Sequence, residues 1–130
     1  MKTPIASALA EAVAGLRTSA SEPDRIAYSR DLWPRHHLAV RSGRVAEHKP
    51  AAIVWPDNTE EVAAVVAYCA REGVPIVPYG AGSGVCAGIL PTDRTVVVDL
   101  KRLRRWRELD RDKMTLTVET GTIGIRLEEE

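Results

Sequence analysis

Four glycines stand close together in the stretch VPIVPYGAGSGVCAGILP, at residues 74–91, although the whole chain of 130 residues has only nine. Ordered glycine costs backbone entropy, so such a cluster serves a tight turn or a close approach of the backbone to another group. Backbone N–H groups of this loop, together with the Ser83 hydroxyl, could bind a phosphate. An ordinary glycine-rich connection fits the spacing alone equally well. The four residues are Gly80, Gly82, Gly84 and Gly88.

Two common phosphate-binding motifs are excluded here. A P-loop requires Gly-Lys-Ser/Thr, and no lysine stands between Lys49 and Lys101. The dinucleotide fingerprint G-x-G-x-x-G opens a helix, whereas Val85 occupies its last glycine position and a strand-like segment follows. The loop is therefore expected to connect two strands, with no helix N-terminus to assist anion binding.

Histidines and cysteines offer weaker candidates for chemistry. His36 and His37 could bind a metal, but only His48 could join them, so we expect a solvated surface pair. Cys86 lies in the glycine loop and would be a reactive thiol beside a cation. Packing as a small hydrophobic side chain is the expectation for it.

One basic cluster surrounds Trp106. Acidic residues follow it at once, and 18 basic residues balance 18 acidic ones, so no nucleic-acid partner is expected. We expect a solvated hairpin-like edge whose charges discourage strand addition. Asp99, just before the cluster, is expected to cap the following turn. The cluster comprises Lys101, Arg102, Arg104, Arg105 and Arg107.

Hydrophobic periodicity predicts the elements that must position the glycine loop. Asn58 with Glu61, or Asp57 with Glu60, could form the capping box of the clearest helix. The strands on either side of that helix are expected to run parallel, as in a strand–helix–strand unit. The predicted elements are a helix at 3–17, a mostly irregular segment at 21–49 with one helical turn, a strand at 51–55, a helix at 57–73, and strands at 75–79, 95–100 and 114–120.

Composition bounds the class of protein. The chain is 45% hydrophobic and 28% charged, which is typical of one globular domain at most. Two cysteines, Cys69 and Cys86, give no disulfide framework, so a reduced, cytoplasmic setting is expected. Glu11 interrupts the apolar N-terminus, which argues against a signal peptide, and no apolar run is long enough for a transmembrane segment. Because IRLEEE ends the chain in the first turn of a new helix, we expect a fragment or a truncated gene product.

Four motifs in order carry a family resemblance. PDNTEEV (56–62), VPYGAGSG (77–84), VDL (98–100) and VETG (118–121) together resemble the first half of the FAD-binding domain of the FAD-linked oxidases, the vanillyl-alcohol oxidase/PCMH superfamily. Within it, the chain is similar to the branch of glycolate oxidase FAD subunits, D-lactate dehydrogenases and alkyldihydroxyacetonephosphate synthases. The earlier stretch YSRDLWP resembles the lead-in of some bacterial members more loosely.

The resemblance implies an α+β fold. It implies a PCMH-type FAD-binding subdomain with a small mixed sheet and a βαβ start, behind an N-terminal helical extension. Residues 1–49 would form the extension, and residues 50–130 the first half of the FAD-binding domain.

The resemblance also implies a cofactor site. In the family this loop wraps the FAD pyrophosphate, and Ala81 here replaces a frequent glycine. Some members attach flavin through a histidine in the loop; none stands between Pro78 and Gly88, so non-covalent FAD is implied. No catalytic residue is expected, because the family's substrate domain is not in this sequence. The matching residues are Pro78, Tyr79, Gly80, Ala81, Gly82, Ser83 and Gly84.

The function implied is that of the FAD-binding portion of an oxidoreductase acting on 2-hydroxy acids of the glycolate or D-lactate type. A flavin transferase of the alkyldihydroxyacetonephosphate synthase type is the alternative within the family. A third alternative is a non-catalytic truncated domain that associates with itself or with another polypeptide. Losing part of a sheet would expose apolar faces and strand edges, which favours such association.

Overall fold

A computed structural model of the chain describes residues 3–44 and 48–129. Residues 45–47 of the predicted irregular segment, residue 130 of the predicted final turn, and residues 1–2 of the predicted N-terminal extension lie outside the described residues. Within the described residues the chain forms five helices and six strands. They are α1 (Ile5–Ala12), β1 (Arg17–Ser19), α2 (Glu22–Ala27), α3 (Pro34–Arg41), β2 (Ala52–Trp55), α4 (Thr59–Glu72), β3 (Ile76–Tyr79), β4 (Val96–Asp99), β5 (Trp106–Asp110), β6 (Thr115–Val118) and α5 (Gly124–Glu128).

The main sheet is mixed, with strand order β1-β2-β4-β3. Val96 at the start of β4 pairs with Ala52 of β2 on one side and Ile76 of β3 on the other, both in parallel register. Strand β1 adds to β2 in the antiparallel sense. The predicted mixed sheet is therefore confirmed. β2 and β3 run parallel as expected, but β4 lies between them, and its four residues are all buried.

Helix α4 connects β2 to β3. Asn58 Oδ1 accepts a hydrogen bond from the Glu61 N–H at 2.8 Å, and the Glu61 carboxylate accepts one from the Asp57 N–H at 2.9 Å. Of the two predicted capping boxes, the Asn58–Glu61 alternative is the one present. Gly73 ends the helix with φ of +63°, a left-handed conformation that glycine adopts without strain. Cys69 on this helix is fully buried.

The chain before β2 is more regular than its sequence predicts. Helix α1 ends at Ala12, because the residues after it turn and enter β1. Two helices, α2 and α3, occupy the segment predicted as mostly irregular. Proline lies in the first turn of each, where its fixed φ suits the helix and its missing N–H has no cost. Leu9 of α1 is fully buried in the same core as Val54 of β2 and Val65 of α4.

Strands β5 and β6 form a separate antiparallel hairpin, which confirms the predicted hairpin at the basic cluster. The Glu119 carboxylate links the two strands at the open end of the hairpin. It accepts a hydrogen bond from the Arg105 backbone N–H at 2.8 Å and forms an ion pair with Arg107 at 2.5 Å. These donors and cations lower the pKa of Glu119. None of the described helices has the length and apolar character needed to cross a membrane.

Candidate functional site

The glycine loop lies at the carboxyl ends of the parallel strands of the main sheet. It leaves the carboxyl end of β3 at Tyr79 and returns to the amino end of β4, so it is the crossover between two parallel strands. Such a crossover is usually a helix, but here the segment from Gly80 to Thr95 is irregular throughout. The carboxyl edge of parallel strands is where ligand sites form in open α/β sheets. The loop therefore lies where a ligand site is expected.

The backbone of the loop has free donors. Among the described residues, none of the backbone N–H groups from Gly80 to Gly88 donates a hydrogen bond to the protein. Gly82 has φ of +68°, and a Cβ on it would overlap the Tyr79 hydroxyl and lie 2.7 Å from its Cζ. Gly80, by contrast, has nothing within 4 Å of a Cβ position. The loop thus folds back over Tyr79 and leaves its amides open to an anion, with the Ser83 side chain exposed beside them.

Five residues, which we call the edge cluster, line the sheet edge next to the loop: Tyr28, Trp55, Tyr79, Asp99 and Lys101. Trp55, Tyr79 and Asp99 are the last residues of β2, β3 and β4, so parallel pairing brings them together. Trp55 Nε1 donates to the Tyr28 hydroxyl at 3.0 Å and to Asp99 Oδ2 at 3.1 Å. The Tyr28 hydroxyl donates to the same Asp99 oxygen.

Asp99 is the anionic centre of the edge cluster. Its side chain is fully buried, and Lys101 Nζ lies 2.8 Å from its Oδ2. The backbone N–H of Lys101 donates to the other carboxylate oxygen at 2.9 Å, which confirms the predicted turn cap. Burial and the hydrogen bond to Asp99 raise the pKa of Tyr28 above its usual range, so this hydroxyl remains a neutral donor. Lys101 also lies over the Tyr79 ring, 4.8 Å from its centroid. Sequence reasoning missed this network because Tyr28 comes from an element predicted as irregular.

Residues of the stretch YSRDLWP (28–34) also contact the glycine loop. The Leu32 N–H donates to the Gly84 carbonyl at 2.8 Å. Asp31 has no exposed side-chain surface, and its Oδ2 lies 3.2 Å from the position that a Cβ on Gly84 would take. His36 Nδ1 lies 3.3 Å from Asp31 Oδ1. The expectation of a solvated histidine pair is therefore wrong for His36, which is half-buried, and right for His37, which is exposed.

The two cysteines differ in environment. Cys86 is exposed, so the expectation that it packs as a small hydrophobic residue is wrong. The reason is that the crossover between β3 and β4 contains no helix to cover this part of the loop. Cys69 lies on the buried face of α4, and burial raises the pKa of its thiol.

A separate cleft of about 510 Å³ lies between α3 and the segment 90–92, and none of residues 78–88 lines it. Basic side chains line it, among them Arg30, Arg35 and Arg44. Within residues 3–44 and 48–129, no group of three His, Cys, Asp or Glu side chains could hold a metal ion. The glycine loop and the edge cluster are therefore the candidate site.

Comparison with known proteins identifies the family to which this fold and loop belong. The family model described as "FAD binding domain" matches residues 50–130, so the chain belongs to this FAD-binding family. The predicted family and its predicted cofactor, FAD, are both confirmed.

Similar proteins extend this finding. The chain is 32% identical over 105 residues to the glycolate oxidase subunit GlcD of Bacillus subtilis, covering 81% of this chain and 20% of that protein. It is 31% identical over 121 residues to D-2-hydroxyglutarate dehydrogenase of Xanthomonas citri pv. viticola, covering 93% of this chain and 24% of that protein. The chain thus spans about a fifth to a quarter of the length of these relatives.

Solved structures show the same fold. A structure of alkyldihydroxyacetonephosphate synthase superposes with a TM-score of 0.78 at 30% identity, covering 86% of this chain and 21% of that one. p-Cresol methylhydroxylase superposes with a TM-score of 0.63 at 20% identity, covering 86% of this chain and 21% of that one. The PCMH-type FAD-binding fold predicted from the sequence is therefore confirmed.

Proposed function

We propose that this chain is the FAD-binding portion of a flavin-dependent oxidoreductase acting on 2-hydroxy acids. Glycolate and D-2-hydroxyglutarate, which appear in the names of two relatives, are both 2-hydroxy acids. The redox chemistry belongs to the flavin, which accepts a hydride equivalent from the carbon that bears the hydroxyl. The part of this chain is to bind the cofactor and fix its orientation.

The loop at residues 78–84 holds the FAD diphosphate in this proposal. One observation carries it: a run of backbone N–H groups without acceptors among the described residues lies at the carboxyl ends of parallel strands, where Gly82 has no room for a side chain. These amides and the Ser83 hydroxyl are donors of the kind that phosphate oxygens accept. The residues that would contact FAD are Pro78, Tyr79, Gly80, Ala81, Gly82, Ser83 and Gly84.

Binding through this loop is non-covalent in the proposal, because the loop has no histidine. Acid precipitation of the FAD-loaded protein is expected to release all flavin to the supernatant. Flavin that stays with the precipitated protein would overturn the non-covalent assignment without affecting the cofactor assignment.

In the same proposal, residues 50–130 are the first part of the FAD-binding domain and residues 1–49 are an extension in front of it. The two parts are packed together. Strand β1 of the extension pairs with β2, and Leu9 shares its buried core. We expect removal of residues 1–20 to lower the free energy of unfolding, because it uncovers that core and the edge of β2.

The test of cofactor binding is the visible absorption spectrum of the purified chain, before and after addition of FAD and removal of the excess. A retained flavin spectrum supports the proposal, provided that replacing Gly82 with valine abolishes retention. Absence of flavin from the wild-type chain would contradict it, although membership of the family would stand.

A second candidate function is that of a flavin transferase similar to alkyldihydroxyacetonephosphate synthase. The superposition on that enzyme, with its TM-score of 0.78 at 30% identity, favours it. The measurement that separates the two is anaerobic addition of glycolate, D-lactate or D-2-hydroxyglutarate to the FAD-loaded protein. Bleaching of the flavin band would indicate oxidation of a 2-hydroxy acid and would contradict the transferase.

A third candidate is a non-catalytic domain that associates with a second copy or with another chain. Large apolar side chains are exposed on the hairpin and around α5, which favours association. They are Leu109, Met114, Ile123 and Ile125.

A further inference from the structure

Asp31 has a carboxylate oxygen without a donor. Its side chain is completely buried. Oδ1 accepts a hydrogen bond from the Trp33 N–H at 3.0 Å and lies 3.3 Å from His36 Nδ1. Oδ2 has no hydrogen-bond partner among the described residues. Burying a carboxylate oxygen unpaired is costly, so a group that donates to Oδ2 in the functional state would remove that cost.

Asp31 Oδ2 faces the glycine loop at Gly84. It lies 3.2 Å from the position of a Cβ on Gly84, and the neighbouring Leu32 N–H already holds the Gly84 carbonyl at 2.8 Å. This part of the loop carries the Ser83 hydroxyl and the N–H groups of Gly84 and Val85. None of these donates a hydrogen bond within the described part of the chain. Among the described residues, an unpaired buried acceptor therefore lies beside a loop segment whose donors are also unpaired.

We propose that Asp31 is a positioning residue for FAD: its Oδ2 accepts a hydrogen bond from the loop at residues 83–85 and so fixes the remaining loop amides toward the diphosphate. The inference rests on the proposed function of the loop. A hydrogen bond to a carboxylate is stronger than one between neutral groups, so this bond would favour one conformation of the loop in the FAD complex.

The asparagine variant Asp31→Asn tests the proposal. It keeps an oxygen for the Trp33 N–H and places an NH₂ group, which donates, against the donors of the loop. We expect hydrogen exchange of the amides at residues 82–86 to quicken about tenfold in the FAD-saturated protein, and the Kd for FAD to rise about tenfold. The matched control is Asp110→Asn, because Asp110 bonds only within the hairpin, to Lys113; neither readout should change.

A second variant tests the same contact in case Asp31→Asn does not fold. Gly84→Ala places a methyl group 3.2 Å from Asp31 Oδ2 while leaving the carboxylate in place, and it should give the same two changes. The double variant should be no worse than either single one, because both break the same contact.

The outcomes separate this inference from the proposed function. Unchanged loop exchange in a folded Asp31→Asn chain would overturn the inference, as would tighter FAD binding, since Asp31 would then act only as a charge that repels the diphosphate. If the wild-type chain fails to bind FAD, the proposed function and the role of Asp31 toward FAD both fall.

Discussion

Gly82 and Gly80 lie two residues apart in the loop but have different surroundings. Gly82 has φ of +68° and no room for a Cβ beside Tyr79, whereas Gly80 has open space around its Cβ position. We expect Gly82→Ala to raise the Kd for FAD at least tenfold, because the strained backbone must turn its amides away from the anion. Gly80→Ala is the matched control and should change Kd less than threefold. Equal effects in a flavin-binding titration would show that backbone geometry at Gly82 does not shape the site.

Tyr28 makes stability depend on pH in the alkaline range. Burial and its hydrogen bond to Asp99 raise its pKa above the value near 10 of a free tyrosine, so the folded state holds the proton more tightly than the unfolded state. The stabilising contribution is complete below about pH 10 and is lost as the pH rises above that value. Urea unfolding between about pH 8 and about pH 11 should therefore show a steeper fall for the wild-type chain than for Tyr28→Phe. Parallel pH profiles would contradict the assignment.

The β5–β6 hairpin is joined to the main sheet through a close backbone contact at Gly121. The Gly121 N–H donates to the Leu103 carbonyl at 2.8 Å, and a Cβ on Gly121 would lie 2.7 Å from that oxygen. We expect Gly121→Ala to lower the free energy of unfolding by about 1–3 kcal/mol, because backbone atoms must move to admit the methyl group.

The control for this substitution is Gly124→Ala at the start of α5. Nothing lies within 4 Å of its Cβ position. Stability should stay the same or rise by up to about 1 kcal/mol, since alanine favours the helix. Chemical denaturation of both variants makes the comparison, and equal losses would mean that the contact at Gly121 relaxes freely.

At the scale of the whole molecule, exposed apolar side chains near the C-terminal end of the described residues favour self-association. Met114 is 90% exposed and Ile125 65%. The average mass from light scattering is expected to rise with concentration, and Ile123→Lys with Ile125→Lys should suppress the rise. Leu38→Lys on α3 is the control, because Leu38 is 62% exposed but lies on another element. A mass independent of concentration would contradict this expectation.

Sequence patterns predicted those parts of the fold that local signals determine. Helix α4 has its cap, its periodicity and its terminal glycine in one stretch, and the loop after β3 has its glycines. The place of β4 between β2 and β3 could not be predicted, because all three strands are short apolar runs that do not specify their neighbours. The helical segment α3 was missed since its hydrophobic pattern is weak and none of its residues is buried.

The edge cluster and Asp31 were missed for a similar reason. The glycine loop is recognisable by its composition, but the residues beside it come from distant parts of the chain. Asp31 lies shortly before α3, and Trp55 and Asp99 end separate strands. Sheet order alone brings Trp55 and Asp99 together. The exposure of Cys86 could not be predicted either, because it depends on which elements cover the loop. The neighbouring residues in the sequence do not determine those elements.

The central position of β4 also bears on synthesis of the protein. While the ribosome has made the chain only as far as Tyr79, β2 and β3 have no strand to lie between them, and the edges of both are open. The sheet closes when residues 96–99 emerge, so the glycine loop is already outside the ribosome before its two ends are fixed. Pairings between distant segments form late and slowly, and nascent chains with open edges are prone to aggregation. We therefore expect this nascent chain to be prone to aggregation until β4 emerges from the ribosome.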